Sequence, residues 1–182
     1  MRILALLTAL LVVTPTLSAT VVLPAEFTEI VAGSQIIVYG RVSDVRAEWT
    51  DGRRRIESVV TVEASSFLRG TPTPTVTFRV AGGQIGRLKS VTVGAPAFQA
   101  GEEVVLFLRA QGPAVPQVFG VHQGIFRVRV DARSGARLVA FPVIGHRTDG
   151  QRVVRGATER RPLPLEQFAQ TVRSVLQAGG GR

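Results

Sequence analysis

The sequence predicts a mainly β domain in which antiparallel strands form a barrel or a sandwich. Several short segments alternate apolar and polar residues, as in residues 75–80 with the sequence TVTFRV. Turn-forming glycines separate these segments, and little of the chain follows helical spacing. Short strands at regular intervals with Gly-rich turns are typical of β-barrels and β-sandwiches. We expect one short helix before the strands and one amphipathic helix after them.

Residues 1–19 have the features of a secretory signal peptide. One positive charge is followed by an apolar run over 3–13 and by small residues up to Ala19. Cleavage after Ser18 or after Ala19 fits, and Ala19 is slightly favoured. An uncleaved anchor is the alternative, but Pro15 interrupts a run shorter than the ~20 apolar residues that span a bilayer. We therefore expect an exported protein, periplasmic or extracellular, with no transmembrane segment after cleavage.

The rest of the chain has the composition and length of one folded domain. Hydrophobic residues make up 45% of the 182 residues and charged residues 19%, which argues against a disordered protein. Cysteine is absent. Disulfides, thiol catalysis and zinc-thiolate sites are therefore excluded, and packing and backbone pairing have to stabilise the fold. Only residues 179–182 are predicted to form a disordered tail.

The formal net charge of +9 has two interpretations. In a cytoplasmic protein such a charge suggests nucleic acid as the partner, but export argues against that partner. Of the 22 basic residues only Lys89 is a lysine, and asparagine is absent, a bias typical of a GC-rich genome. The charge therefore reflects either genome composition and solubility or an anionic partner, such as a phosphorylated glycan or lipid headgroups.

The first predicted element is a short helix over residues 25–32. Phe27, Ile30 and Val31 follow helical spacing, and Gly33 marks the end of the helix. The next element is a long strand that begins near Ile36.

That long strand contains a change of phase and leads into a hairpin. Its apolar residues occupy even positions up to Val42 and odd positions from Val45 onward, which predicts a β-bulge near Ser43 and Asp44. Asp51-Gly52 then predicts a tight turn with positive φ angles. The return strand runs to residue 64.

The later strands are predicted from the alternation of apolar and polar residues and from one continuous apolar run. Residues 104–108 are apolar at every position, so this strand is predicted at the centre of the sheet and covered on both sides. The other predicted strands cover residues 75–80, 89–93, 126–130 and 138–141. Together the strands define a β domain over residues 20–144.

The carboxyl-terminal part combines an irregular segment with a helix. Residues 145–164 are Arg-rich and weakly periodic, and we expect an irregular segment that wraps over the barrel. Residues 165–178 carry apolar side chains at helical spacing, including Phe168 and Val172. This helix either covers one open side of the barrel or docks a partner.

The sequence offers few groups for catalysis. His122 and His146 are its two histidines, and neither has an acidic or histidine neighbour at metal-ligand spacing. No G-x-S-x-G sequence is present. Glu102 and Glu103 are adjacent on a predicted strand, so their side chains face opposite ways and do not form a catalytic pair. We expect no catalytic residue, metal or cofactor.

Two groups of arginines are candidates for binding. Arg53, Arg54 and Arg55 follow the first predicted hairpin turn, where Trp49 could stack on a ligand while the guanidiniums hold its anion. The alternative for this group is a solvated loop.

The second group consists of Arg127 and Arg129, which share one strand face. Arg137 is a third member if it lies opposite them across the following hairpin.

The order of signals over residues 34–108 resembles the netrin-like module, the OB-type barrel of the tissue inhibitors of metalloproteinases. The matching segments are IIVYGRV (36–42), FLRG (67–70), VTF (76–78) and GEEVVLFL (101–108), an order also seen in uncharacterised exported bacterial proteins. The resemblance implies an antiparallel OB-like, netrin-type barrel. Those inhibitors chelate the protease zinc through an amino-terminal cysteine, which this chain lacks, so that activity is not implied.

These observations favour a non-enzymatic binding domain of the cell envelope or extracellular space. Its expected partner is an envelope protein or an anionic glycan or lipid surface, bound through the barrel rim and basic loops. The alternatives are an envelope hydrolase with a histidine base and a structural or assembly subunit. The sequence leaves the oligomeric state open.

Overall fold

The structure is a computed structural model, described here for residues 25–110, 112, 115–142, 147–149, 152–154 and 161–179. The predicted signal peptide and His146 lie outside these residues. Within them, helix α1 (Phe27–Ala32) precedes the strands and helix α2 (Leu165–Gly179) follows them. The predicted mainly β fold with a short first helix and a final helix is confirmed. The strands are β1 (Ile36–Thr50), β2 (Arg55–Arg69), β3 (Thr75–Ala81), β4 (Gly83–Ile85), β5 (Leu88–Ser90), β6 (Glu103–Arg109), β7 (Gln117–Val118), β8 (Ile125–Val130), β9 (Arg137–Ala140), β10 (Arg147–Asp149), β11 (Arg152–Val154) and β12 (Leu163–Pro164).

Helix α1 buries the three apolar side chains that predicted it. Phe27, Ile30 and Val31 are all buried. The Glu29 carboxylate accepts a hydrogen bond from the backbone amide of Glu26 at 2.8 Å, which satisfies one free donor at the helix start.

The β1–β2 hairpin contains the predicted bulge. The register passes from Val42 opposite Val62 to Asp44 opposite Thr61, so Ser43 is the extra residue with no β2 residue paired opposite it. The turn between Thr50 and Arg55 has four residues, and Asp51, Gly52 and Arg53 all have positive φ angles, of 52°, 61° and 69°.

The large sheet is mixed, so the prediction of a wholly antiparallel sheet is wrong. β3 pairs with β7 in parallel, through Arg79 and Gln117. The chain directions require this: β2 runs antiparallel to both β1 and β3, while β6 runs antiparallel to both β1 and β7. β7 and β3 therefore both run in the direction of β1. The strand order is β1-β2-β3-β7-β6-β8-β9-β12, and β6 also pairs with β1.

Strand β6 is covered on both faces, as predicted from its apolar run. Val104, Leu106 and Leu108 pack in one cluster with the inner residues of β1, β2 and β3. Val105 and Phe107 pack on the opposite face, against both helices. All five side chains have no exposed surface. The sheet thus separates two apolar cores.

In the last part of the chain, β12 and helix α2 pack against the second core. Within the predicted irregular segment 145–164, β10 and β11 pair with each other, and β12 extends the large sheet beside β9. Helix α2 buries Phe168, Ala169 and Val172 against the sheet face that α1 also covers. Neither of the two helices has the length and apolar character that a membrane crossing requires.

Candidate functional site

A cleft of about 640 Å³ opens beside β8 and includes both arginines predicted on that strand. Its size falls within the roughly 300–1,000 Å³ of sites that bind small organic ligands. The wall opposite β8 is a loop of small residues in the segment between β5 and β6. The described lining residues are Gly94, Ala95, Pro96, His122, Ile125, Arg127, Arg129, Ala140, Phe141 and Pro142.

One face of β8 forms a wall whose polarity changes along the strand. Ile125, Arg127 and Arg129 share this face because alternate residues of a strand point to the same side. Ile125 is buried, the Arg127 side chain is 37% exposed and Arg129 is exposed. Across the ladder, the small side chain of Ala140 lies opposite Arg127, which leaves room for the cleft.

The two arginines have different electrostatic roles. Arg127 forms a close ion pair with Glu102, donates a hydrogen bond to the Ala97 carbonyl at 2.6 Å and lies over the Phe98 ring. Its charge is therefore compensated and its side chain is fixed. Arg129 has no ion pair with any residue that the structure describes. Among the described arginines of the cleft, Arg129 is therefore the one whose positive charge is available to a ligand.

Arg137 does not join these arginines. The β8–β9 register places Arg129 opposite Leu138 and Val130 opposite Arg137, so the Arg137 side chain lies on the other face of the sheet. There it donates to Glu103 at 3.0 Å. Arg137 is therefore not a third member of the group formed by Arg127 and Arg129. The β8–β9 register differs by one residue from the register that would place Arg137 opposite them.

Glu103 is the centre of a polar cluster on the face away from the cleft. Its side chain is only 12% exposed and accepts hydrogen bonds from Tyr39 at 2.6 Å, Arg41 at 2.7 Å and Arg137 at 3.0 Å. The Tyr39 hydrogen bond and the two arginines lower the pKa of the Glu103 carboxyl below its usual value, although burial acts in the opposite direction. Burial and Glu103 raise the pKa of Tyr39. Glu102 and Glu103 thus face opposite ways as predicted, and each is paired with arginine.

We expect Glu103 to make stability depend on pH. The pKa of the Glu103 carboxyl is lower in the folded state than its usual value of 4.5, which applies in the unfolded state. The ionised carboxylate therefore stabilises the fold at pH values above 4.5. This contribution disappears as the pH falls through the pKa of the folded state. The Glu103→Gln variant should lose about 1–2 kcal/mol at neutral pH, since Arg41 and Arg137 are half exposed and contribute weakly. Its unfolding free energy should also fall less on acidification, as measured by urea titration. Equal acid sensitivity of Glu103→Gln and the parent would contradict this expectation, and exposed Glu63→Gln is the control.

The hairpin-tip residues do not contribute to the cleft. Arg53, Arg54 and Arg55 are exposed, and Trp49 is half-buried and pairs with Ile56 in the hairpin. Among the described residues, the guanidiniums that lie over aromatic rings are those of Arg109 and Arg127, not those at the tip. The predicted clamp of arginines around Trp49 thus remains a prediction, and the tip is separate from the Arg129 cleft.

His122 lines the cleft from a constrained turn between β7 and β8. Val121 before it has a φ angle of 67°, which is unfavourable for a β-branched residue. The neighbouring Gln123 is buried and accepts a hydrogen bond from the Ala25 amide at 2.7 Å, which holds the turn against the start of α1. The Nδ1 atom of His122 is buried without a hydrogen-bond partner in the described part of the chain.

The described lining of the cleft does not supply the partners that a histidine base needs. None of its described lining residues is a serine, threonine, cysteine, aspartate or glutamate. The described ranges also contain no group of three residues able to hold a metal ion. Among its described lining residues, the cleft offers one uncompensated guanidinium, an imidazole and an apolar wall.

Sequence reasoning found the arginines but missed the opposite wall. Residues 94–101 lie outside every predicted strand, and Phe141 is predicted only as the end of a strand. No local pattern links residues 94–96 to β8, because about 30 residues separate them in the chain.

Comparisons with protein-family models, with curated proteins and with solved structures find no match to this chain. The geometry of the site therefore carries the functional argument alone.

Proposed function

We propose that this protein is an exported, non-enzymatic binding domain that recognises an anionic group on an envelope or extracellular partner. The observation that carries the proposal is the cleft beside β8, where Arg129 has no ion pair with a described residue and faces a space large enough for a ligand. A guanidinium suits carboxylate and phosphate oxygens because it presents several donors in a plane.

The proposed fold is a closed OB-type barrel of the netrin kind. The pairings β1–β2, β2–β3, β3–β7, β7–β6 and β6–β1 support closure, since they lead back to the first strand. The resemblance of residues 36–108 to netrin-like modules supports the same fold. Barrels of this type commonly bind ligands with their loops and open faces. Export is supported by the signal-like composition of residues 1–19.

Binding is favoured over hydrolysis by the composition of the cleft. A histidine base acts on a nucleophile or water and is usually oriented by a carboxylate. The described lining gives His122 neither a hydroxyl nor a carboxylate neighbour. The Glu102 carboxylate, which contacts the cleft residue Arg127, is already paired with that arginine.

A structural or assembly subunit is the second candidate, favoured by exposed apolar side chains. Val91 is 73% exposed and Val93 98% exposed, and both lie in the segment between β5 and β6. Single exposed valines are common on monomers, so only an oligomer would support this role. A mass above the monomer in light scattering, reduced by Val93→Asp, would favour it.

The proposed function predicts a specific loss of partner capture on substitution of Arg129. Arg129→Gln should reduce capture of envelope components from extract at low salt at least tenfold, because it removes the uncompensated charge but no described ion pair. High salt should weaken capture by the parent in the same way. Quantitative pulldown of the processed protein measures both effects.

Arg53→Gln is the matched control, since Arg53 is equally exposed but lies at the hairpin tip. Its capture should equal that of the parent. Loss of capture in Arg53→Gln but not in Arg129→Gln would move the binding surface to the hairpin tip and overturn the assignment to the cleft.

A further inference from the structure

We infer that the cleft beside β8 binds an amphipathic monoanion, a small organic carboxylate with an extended apolar body. This inference rests on the proposed function, because it specifies the anion that the cleft recognises.

The charges of the cleft favour a single negative charge. Arg127 is compensated by Glu102, so this pair adds no net charge to the wall. Arg129 then supplies one positive charge, and its exposed position at the outer end of the strand lets a carboxylate approach without displacing a described ion pair. A dianionic headgroup would find no second uncompensated guanidinium among the described lining residues.

The apolar residues define where the body of the ligand lies. Ile125 marks the inner end of the wall, four residues before Arg129 and therefore about 13 Å from it along the strand. Pro142, Ala95 and Pro96 also line the cleft and form what we call its apolar channel. Phe141 lines the cleft as well, while its ring packs against Phe168 in the second core. An extended aliphatic chain fits this channel, with its carboxylate at Arg129 and its far end over Ile125.

The short side chain of Ala140 keeps the channel open at its middle. Ala140 lies opposite Arg127 and lines the cleft. A longer side chain at this position would fill the space that the aliphatic chain needs, while Arg129 would keep its charge. The Ala140→Leu variant therefore separates binding inside the cleft from attraction to a charged surface.

Isothermal titration calorimetry with octanoate tests the inference on the processed protein, purified after expression of the full chain. Octanoate should bind with an affinity at least tenfold above that of acetate, which lacks the body, and of octanol, which lacks the charge. Its affinity should also exceed that of octyl phosphate. Arg129→Gln and Ala140→Leu should each lower octanoate affinity at least tenfold. Arg87→Gln, at an exposed turn outside the described cleft lining, should leave it unchanged, and circular dichroism should show all three variants folded.

Several outcomes would overturn the inference. These are no measurable heat with millimolar octanoate, equal affinity for acetate, tighter binding of octyl phosphate, and unchanged octanoate affinity in folded Arg129→Gln or Ala140→Leu. Failure of octanoate while Arg129→Gln still abolishes partner capture would refute only the ligand class. Octanoate binding that needs Arg129, together with partner capture that does not, would instead refute the proposed function.

Discussion

Replacement of Phe168 by alanine should destabilise the protein by about 3–5 kcal/mol. Phe168 lies on α2, has no exposed surface and is surrounded by four other phenylalanine rings. Its ring centre lies 5.0 Å from that of Phe126, 5.6 Å from Phe27, 6.0 Å from Phe141 and 6.2 Å from Phe107. Truncation leaves a cavity and removes edge-to-face contacts that add to the burial energy.

The loss should appear as a lower denaturant midpoint in chemical unfolding with an unchanged slope. Since Phe168 connects α2 to α1 and to the sheet, the variant should also expose the second core, seen as increased binding of a hydrophobic dye. Gln167→Ala on the exposed face of the same helix is the control and should change stability by less than about 0.5 kcal/mol. A destabilisation of Phe168→Ala as small as that of the control would mean that α2 does not pack on this core.

The second large effect should come from Gly40→Ala in β1. A methyl group at this position would lie 2.2 Å from the carbonyl oxygen of Glu63 and 2.7 Å from a methyl carbon of Val62. The first contact is with backbone, which cannot rotate away, so the β1–β2 ladder has to shift. Gly40 also pairs with Val104 in β6, so a shift disturbs the strand that separates both cores. We expect a loss of about 3 kcal/mol, at the upper end for overpacking.

Chemical denaturation of Gly40→Ala measures this loss. Gly179→Ala makes the same chemical change at the end of α2, where the added methyl group meets no atom within 4 Å. That variant should be neutral or slightly stabilising, because alanine favours the helix. If Gly40→Ala and Gly179→Ala both have the unfolding midpoint of the parent, β1 and β2 do not approach each other closely at Gly40.

Local features of the fold were predictable because they depend on neighbouring residues in the chain. The change of apolar phase after Val42 predicted the bulge at Ser43, since a side-chain period of two cannot change face without an extra residue. The continuous apolar run over 104–108 predicted a strand covered on both sides, and the spacing around Phe168 predicted the buried face of α2. In each case the spacing of apolar residues in the sequence predicts which side chains are buried.

The functional site was predictable only in part. Alternation on β8 placed Arg127 and Arg129 on one face, but nothing in the sequence distinguished the compensated arginine from the available one. That difference depends on Glu102, which reaches Arg127 because β6 and β8 are neighbours in the sheet. His122 was weighed as a base without any indication that it lines the same cleft.

The sequence by itself determined the longer strands, the two helices of the described ranges and the bulge, and it contains no cysteine that could form a disulfide. The tertiary structure alone decided the parallel pairing of β3 with β7, the side of the sheet on which Arg137 lies and the cleft opposite residues 94–96. The physical reason is that periodicity and turn chemistry act over a few residues, whereas register and cavities arise where segments far apart in sequence meet. Where two strands pair, a register shift of one residue moves a charged side chain to the opposite face of the sheet.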